Sequence, residues 1–170
     1  MSISSAKSYP IACYFLKYNC KVNQLLPFTH TRPVADIRCG IYTMRERWEY
    51  YAACQMSTLT TEHLAKVYPC HWEQNSVLIN ATVFADANLM AAIQTLNAHQ
   101  KLQKDGMLIA AHCGQMSQIK YENYEQLITD FENIEYDYPI EKIEHIWEIF
   151  TKNEIAIFSE IGRAHVCTPV

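Results

Sequence analysis

The sequence predicts an α/β fold in which helices flank a mostly parallel β-sheet. Three observations carry this expectation. Short apolar runs bounded by turn residues alternate with stretches of helical periodicity, the pattern of βαβ units. The chain is 49% hydrophobic and only 19% charged, which excludes disorder as its general state. At 170 residues it is long enough for one core, burying roughly 70% of its unfolded surface.

The elements follow in chain order. Ile11-Ala-Cys-Tyr-Phe-Leu16 is a short apolar run and predicts a first buried strand. A polar stretch, Lys17 to Gln24, follows it. Pro33 suits the first turn of a helix, with Thr31 or Arg32 near the cap and Asp36 placed to favour the helix dipole. Ile37, Ile41, Met44, Trp48 and Tyr51 then recur at spacings of three and four and predict one apolar helical stripe. Thr60-Thr-Glu-His-Leu64 opens a shorter helix that stops before Pro69. Ser76 to Asn80 predicts a buried strand, and Asp86 the cap of a helix with the stripe Leu89, Ile93, Leu96. Gly106 breaks the chain before the apolar strand Met107–Ala111. Tyr121 to Phe131 fits helix and strand equally. Ile134, Tyr136 and Tyr138 alternate as a strand ended by Pro139. Ile143, Ile146, Trp147 and Phe150 form a last helical stripe.

Composition narrows the functional classes. With 18 Asp+Glu against 14 Lys+Arg and no basic run, the chain has no footprint for nucleic acid. No apolar run reaches the roughly 20 residues of a membrane span, and the first seven residues lack a signal-peptide core. A cytoplasmic protein without a membrane partner is expected. None of the seven cysteines forms a Cys-x-x-Cys pair, so they are expected to be reduced and to act mainly as small buried hydrophobes.

Familiar catalytic motifs are missing. There is no G-x-S-x-G elbow and no P-loop, and the chain's four glycines form no G-x-G-x-x-G loop. The segment with chemical promise is the turn from Thr29 to Arg38. It follows the first strand and leads into a helix, where α/β folds place phosphates. Thr29 and Thr31 offer hydroxyls, and Arg32 offers a planar fork matched to phosphate oxygens. Arg38 and Arg45 are seven residues apart, which on a helix begun at Pro33 puts them on one face. Each residue has a plainer reading beside this one. The threonines and Arg32 fit local capping, Arg38 and Arg45 fit snorkelling over the core edge, and Asp36 fits a dipole partner as well as a base.

The last ten residues, Ile161-Gly-Arg-Ala-His-Val-Cys-Thr-Pro-Val170, differ in character from the rest. They resemble the conceptual translation of a common sequencing adapter. On that reading residues 1–160 are native, residues 161–170 are not, and the natural protein continues differently beyond Glu160.

The stretch LLPFTHTRPVADIRCGIYTMRERWE resembles the N-terminal motif of the GlmU-like sugar nucleotidyltransferases. This is the alternative bacterial UDP-N-acetylglucosamine diphosphorylase/glucosamine-1-phosphate N-acetyltransferase group, with a pattern close to L-L-P-L-T-x-T-R-P-V-A-D-I-R-x-G-I-x-T-I-R-E-K-W. Asn75 to Asn80 resembles the family's strand ending in Ile-Asn-Gly, and Ile146-Trp-Glu-Ile-Phe150 followed by Asn153 its Pro-Trp-Asp-Ile-Phe…Asn segment. The likeness spans about Ile11 to Glu160.

The resemblance implies that residues 1–160 are the N-terminal part of a Rossmann-like nucleotidyltransferase domain, truncated before a left-handed β-helix acyltransferase domain that makes the full protein a homotrimer. The implied reaction joins a nucleoside triphosphate, UTP by expectation, to a sugar 1-phosphate such as N-acetylglucosamine 1-phosphate, with Mg²⁺ as cofactor. Arg32 and Arg38 are the implied catalytic cations. Thr29, Thr31, Asp36, Arg45 and Asn80 are the further implied substrate contacts. Two departures stand out. Better-characterised nucleotidyltransferases use G-x-G-T-R-[ML] after the first strand, and they place a metal-binding Asp where this chain has Asn80. These departures favour an alternative, a non-catalytic nucleotide-sugar-binding or assembly domain attached to a β-helix acyltransferase.

Overall fold

The structure is a computed structural model that describes residues 13–16, 22–70, 72–116 and 119–164. Six strands form one sheet: β1 (Cys13–Leu16), β2 (Ser57–Thr58), β3 (Val77–Asn80), β4 (Gln100–Lys104), β5 (Met107–His112) and β6 (Glu132–Glu135). The helices are α1 (Met44–Ala52), α2 (Glu62–Ala65), α3 (Ala87–Gln94), α4 (Tyr124–Leu127), α5 (Ile146–Thr151) and α6 (Asn153–Ala164). Of the predicted first strand, Ile11 and Ala12 lie outside the described residues, as do residues 17–21 of the polar stretch and 165–170 of the tail.

The strand order is β2-β1-β3-β5-β4-β6. β1 pairs parallel with both β2 and β3, and β4 pairs parallel with β6. β5 alone runs antiparallel, to both β3 and β4, so the sheet is mixed but mostly parallel as expected, with the other five strands sharing one direction. The cause is local. Asp105 and Gly106 both take positive φ, 49° and 75°, and close a two-residue turn between β4 and β5. Such Asp-Gly turns match the twist of a hairpin, whereas parallel neighbours need a crossover of about a dozen residues or more. β4 and β2 are strands that the apolar runs did not predict.

Burial on both faces gives three layers. Along β3, Val77 and Ile79 face a core built with Met44 and Trp48 of α1, Leu89 and Ile93 of α3, and Ala156 of α6. Leu78 faces the opposite way, toward Tyr124, Ile128 and Phe131. Trp48 is fully buried, and its Nε1 donates to Val83 O at 2.9 Å, which satisfies the one polar atom of the ring.

The first long helix starts later than expected, at Met44 and not at Pro33. Pro33 instead precedes a single 3₁₀ turn, Val34–Asp36. Thr43 and Glu46 form a capping box: Thr43 Oγ1 accepts from Glu46 N, and Glu46 Oε2 accepts from Thr43 N. Upstream, Gly40 takes φ 86° and breaks helical continuity. Ile41, predicted on the buried stripe, is 46% exposed as a result. Arg38 lies before the helix, so it does not share a helix face with Arg45. The last stripe also differs. Ile143 is buried and Ile146 packs against the core as expected, but Trp147 and Phe150 are largely exposed and Ile149 faces the core instead, because α5 is only six residues long and docks through one side. Asp86 caps α3 as predicted, its carboxylate accepting from Leu89 N at 2.8 Å.

α6 is held by a buried charge pair. Arg47 Nη2 donates to Glu160 Oε1, and the two side chains are only 4% and 1% exposed. Glu160 Oε2 also accepts from Ile41 N at 2.6 Å, and Arg47 Nη2 donates to Cys39 O at 2.7 Å. A Cβ at Gly40 would lie 2.6 Å from Glu160 Oε2, so the absence of a side chain there lets α6 approach. Cys39, Cys54, Cys70 and Cys113 are all free thiols. Burial raises the Cys113 thiol to about 12, which keeps it protonated and unreactive. Among the described residues, no helix is long and apolar enough to cross a membrane.

Two predictions follow from this packing. Glu160→Ala strands a buried guanidinium and is expected to destabilise the fold by about 3–5 kcal/mol in urea titration; a loss below about 1 kcal/mol contradicts the pair's structural role. His112, on β5, has its imidazole pKa lowered by burial and secondarily by nearby His99. Its unfolded form therefore binds the proton more readily. The stability it contributes is present above the usual histidine value, about 6.5, and is lost as pH falls from there through the lowered folded value. His112→Gln should flatten the decline in urea midpoint between about pH 6.5 and 5, and an unchanged slope contradicts it.

Candidate functional site

The three parallel strands end level. Phe15 pairs with Thr58, and Leu16 pairs with Asn80, so the carboxyl ends of β1, β2 and β3 form one edge. In open α/β sheets this edge is where ligands bind. A cleft of about 160 Å³ opens there, lined by the segments that continue from these strands. Thr29, His30 and Arg32 come from the segment after β1, Thr58 and His63 from the end of β2 and from α2, and Tyr121 from the opposite layer.

The cleft carries unspent polar capacity. Thr29 is 8% exposed, and its Oγ1 is buried without a hydrogen-bond partner among the described residues. An orphaned hydroxyl of this kind costs about 1–3 kcal/mol unless something binds it. Arg32 is exposed and forms no ion pair with the described residues. Burial, reinforced by Glu125 and Glu122, raises the Tyr121 phenol, which stays a neutral donor at pH 7. Among the described residues, no carboxylate lines this cleft.

The other predicted site residues are placed differently. Arg45 is committed to the scaffold: its Nε donates to Asp36 Oδ1 at 2.7 Å, its Nη2 to Thr58 Oγ1 at 2.5 Å, and its Nη1 to Met56 O. Asp36 is thus a partner of Arg45 and not a group facing the cleft. Arg38 donates to Ile41 O and pairs with Glu46 at 3.7 Å, with its side chain 58% exposed and outside the cleft lining. Thr31 is exposed and also outside the lining. Asn80 is fully buried; its Oδ1 accepts from Thr82 N and Thr82 Oγ1, and its Nδ2 donates to Leu108 O.

The structure thus brings Thr29 and Arg32 together and leaves Thr31, Asp36, Arg38, Arg45 and Asn80 off the cleft wall. It adds His30, Thr58, His63 and Tyr121. The polar run Thr60-Thr-Glu-His63, placed after a strand, was the available signal for the second wall. β2 itself is two residues long and carries no periodicity to reveal it.

Mg²⁺ does not fit the lining. Among the described residues no group of three or more His, Cys, Asp or Glu is arranged to hold a metal ion. Asn80 has both oxygen lone pairs occupied by Thr82.

A second groove, of about 220 Å³, lies between Phe84, Ile140 and Ile155. Its polar lining is largely spent. Lys152 Nζ donates to Glu141 Oε2 and Lys142 O, Ser159 Oγ to Ala156 O, and Asp86 caps α3. The Arg47 guanidinium stacks on the Phe84 ring at 4.4 Å and is neutralised by Glu160.

The Asp36–Arg45 contact is the part of this arrangement most open to direct test. A double-mutant cycle of Asp36→Ala and Arg45→Ala should give a coupling of about 1 kcal/mol or more in urea titration, and additivity contradicts the tie.

A comparison with curated proteins gives no match. A family model described as sugar nucleotidyl transferase matches residues 16–164, most of the chain and the whole of the cleft. With that match across its length, this chain, whose carboxyl-edge cleft carries Arg32 and the buried Thr29 hydroxyl, belongs to the sugar nucleotidyl transferase family.

Proposed function

We propose that the cleft at the ends of β1, β2 and β3 binds the phosphates of a nucleoside triphosphate for transfer of its nucleotidyl group to a sugar 1-phosphate. The observation that carries this reading is the pairing of Arg32 and the unpartnered Thr29 hydroxyl on one cleft wall. In the reaction a phosphate oxygen of the sugar 1-phosphate attacks the α-phosphorus. A new P–O bond forms, the bond to the β-phosphate bridging oxygen breaks, and pyrophosphate leaves with the electron pair. Charge gathers on the α-phosphoryl oxygens, where a preorganised guanidinium is most effective. Arg32 supplies that cation, and Thr29 Oγ1 donates the hydrogen bond for which the fold gives it no partner. Arg45 and Asp36 act at one remove by holding the wall in place. Arg38 borders the same segment from outside.

The finer reading takes UTP and N-acetylglucosamine 1-phosphate as the substrates. It takes the chain as the N-terminal part of a cytoplasmic diphosphorylase/acetyltransferase that trimerises through a β-helix beyond it. The sequence motif around Thr29–Glu49 supports that assignment. A second reading is favoured by one observation, the full engagement of Asn80 within the fold. In it the domain binds a nucleotide sugar without turning it over.

Calorimetric titration of the full chain with UTP tests the cleft. Arg32→Ala should weaken binding about tenfold or more, a loss of about 1.4 kcal/mol, while Arg38→Ala changes it less than about twofold. The opposite order contradicts the placement. Steady-state pyrophosphate release with sugar 1-phosphate distinguishes turnover from binding alone.

A further inference from the structure

The cleft has a second wall, and that wall carries a histidine. His63 is exposed on α2 and lines the cleft with Arg32 and Thr29. Its Nδ1 lies 3.1 Å from Thr61 Oγ1. Thr61 occupies the N-cap of α2, and its side chain makes no capping bond; its hydroxyl can donate to Nδ1 or accept from an Nδ1–H. With Nδ1 accepting from Thr61, the neutral ring carries its proton on Nε2. In the imidazolium form Nε2 is protonated as well. With Thr61 as the donor to the neutral ring, Nε2 of His63 is a donor in both states.

We propose that His63 Nε2 donates to a phosphoryl oxygen of the nucleotide, with Thr61 fixing the tautomer. Phosphate is then gripped from both walls, by Arg32 and Thr29 on the β1 side and by His63 on the β2 side. This rests on the nucleotide reading of the cleft and adds a residue that the Thr29–Arg38 turn did not contain. A donor that keeps its proton in either charge state suits a ligand that only accepts hydrogen bonds. Among the described residues, no carboxylate of the cleft lining competes for that donor.

Two measurements on the full chain test the assignment. Long-range ¹⁵N–¹H correlation spectra should show the ring of His63 in the Nε2–H tautomer, and Thr61→Val should shift it toward a mixture. A ring found in the Nδ1–H tautomer overturns the proposal. Calorimetry with UTP should show His63→Ala weakening affinity roughly tenfold, the scale of one hydrogen bond to a charged group. His63→Gln, which keeps a donor, should restore part of that loss, and uridine affinity should not change. UTP binding that Arg32→Ala weakens and His63→Ala leaves intact overturns the role of His63 alone. A wild-type chain that binds no UTP overturns the reading of the cleft, and this inference with it.

Discussion

Arg45 is the hinge pin of the cleft. Its guanidinium reaches Asp36 in the segment after β1 and Thr58 at the end of β2, so one side chain fixes the spacing of the two cleft walls. Neither wall has regular structure to hold it. The β1 side consists of a 3₁₀ turn and loop, and the β2 side of a two-residue strand and a four-residue helix. Without long elements, placement depends on specific polar bonds, and a planar guanidinium with several donors suits that task.

The short run Thr43-Met-Arg-Glu-Arg-Trp48 assigns a separate task to nearly every position. Thr43 and Glu46 cap α1. Met44 and Trp48 enter the core, Arg45 turns toward Asp36 and Thr58, and Arg47 turns toward α6. The alternation follows from helical geometry, since positions two apart point to different sides. Stability and site geometry therefore share one helix. The Arg47–Glu160 pair holds α6 against the loop at Gly40, and that loop joins the cleft arc to α1.

Much of the fold was readable where periodicity was strong. The apolar run at Val77–Asn80 is a strand buried along its length, and Asp86 caps α3 as its position implied. The failures have physical causes. The stripe from Ile37 to Tyr51 continued on paper through Gly40, but a positive φ there and the capping box at Thr43 start the helix afresh. Strand β4 is polar, Gln-Lys-Leu-Gln-Lys, because its stabilisation comes from the Asp105-Gly106 turn and from Lys101 Nζ, which donates to the carbonyls of Ile128 and Thr129. At the site, the Thr29–Arg32 turn was legible from its residue types. The partition of the arginines was not, because only the tertiary structure reveals that Asp36 and Thr58 claim Arg45.

The nucleotide's phosphates are expected at the carboxyl edge of β1, β2 and β3. Amide chemical-shift mapping with UTP tests this placement most directly. Perturbations are expected to concentrate between Thr29 and Ala35 and between Thr58 and Leu64. Perturbations confined to the groove between Phe84, Ile140 and Ile155 would contradict it.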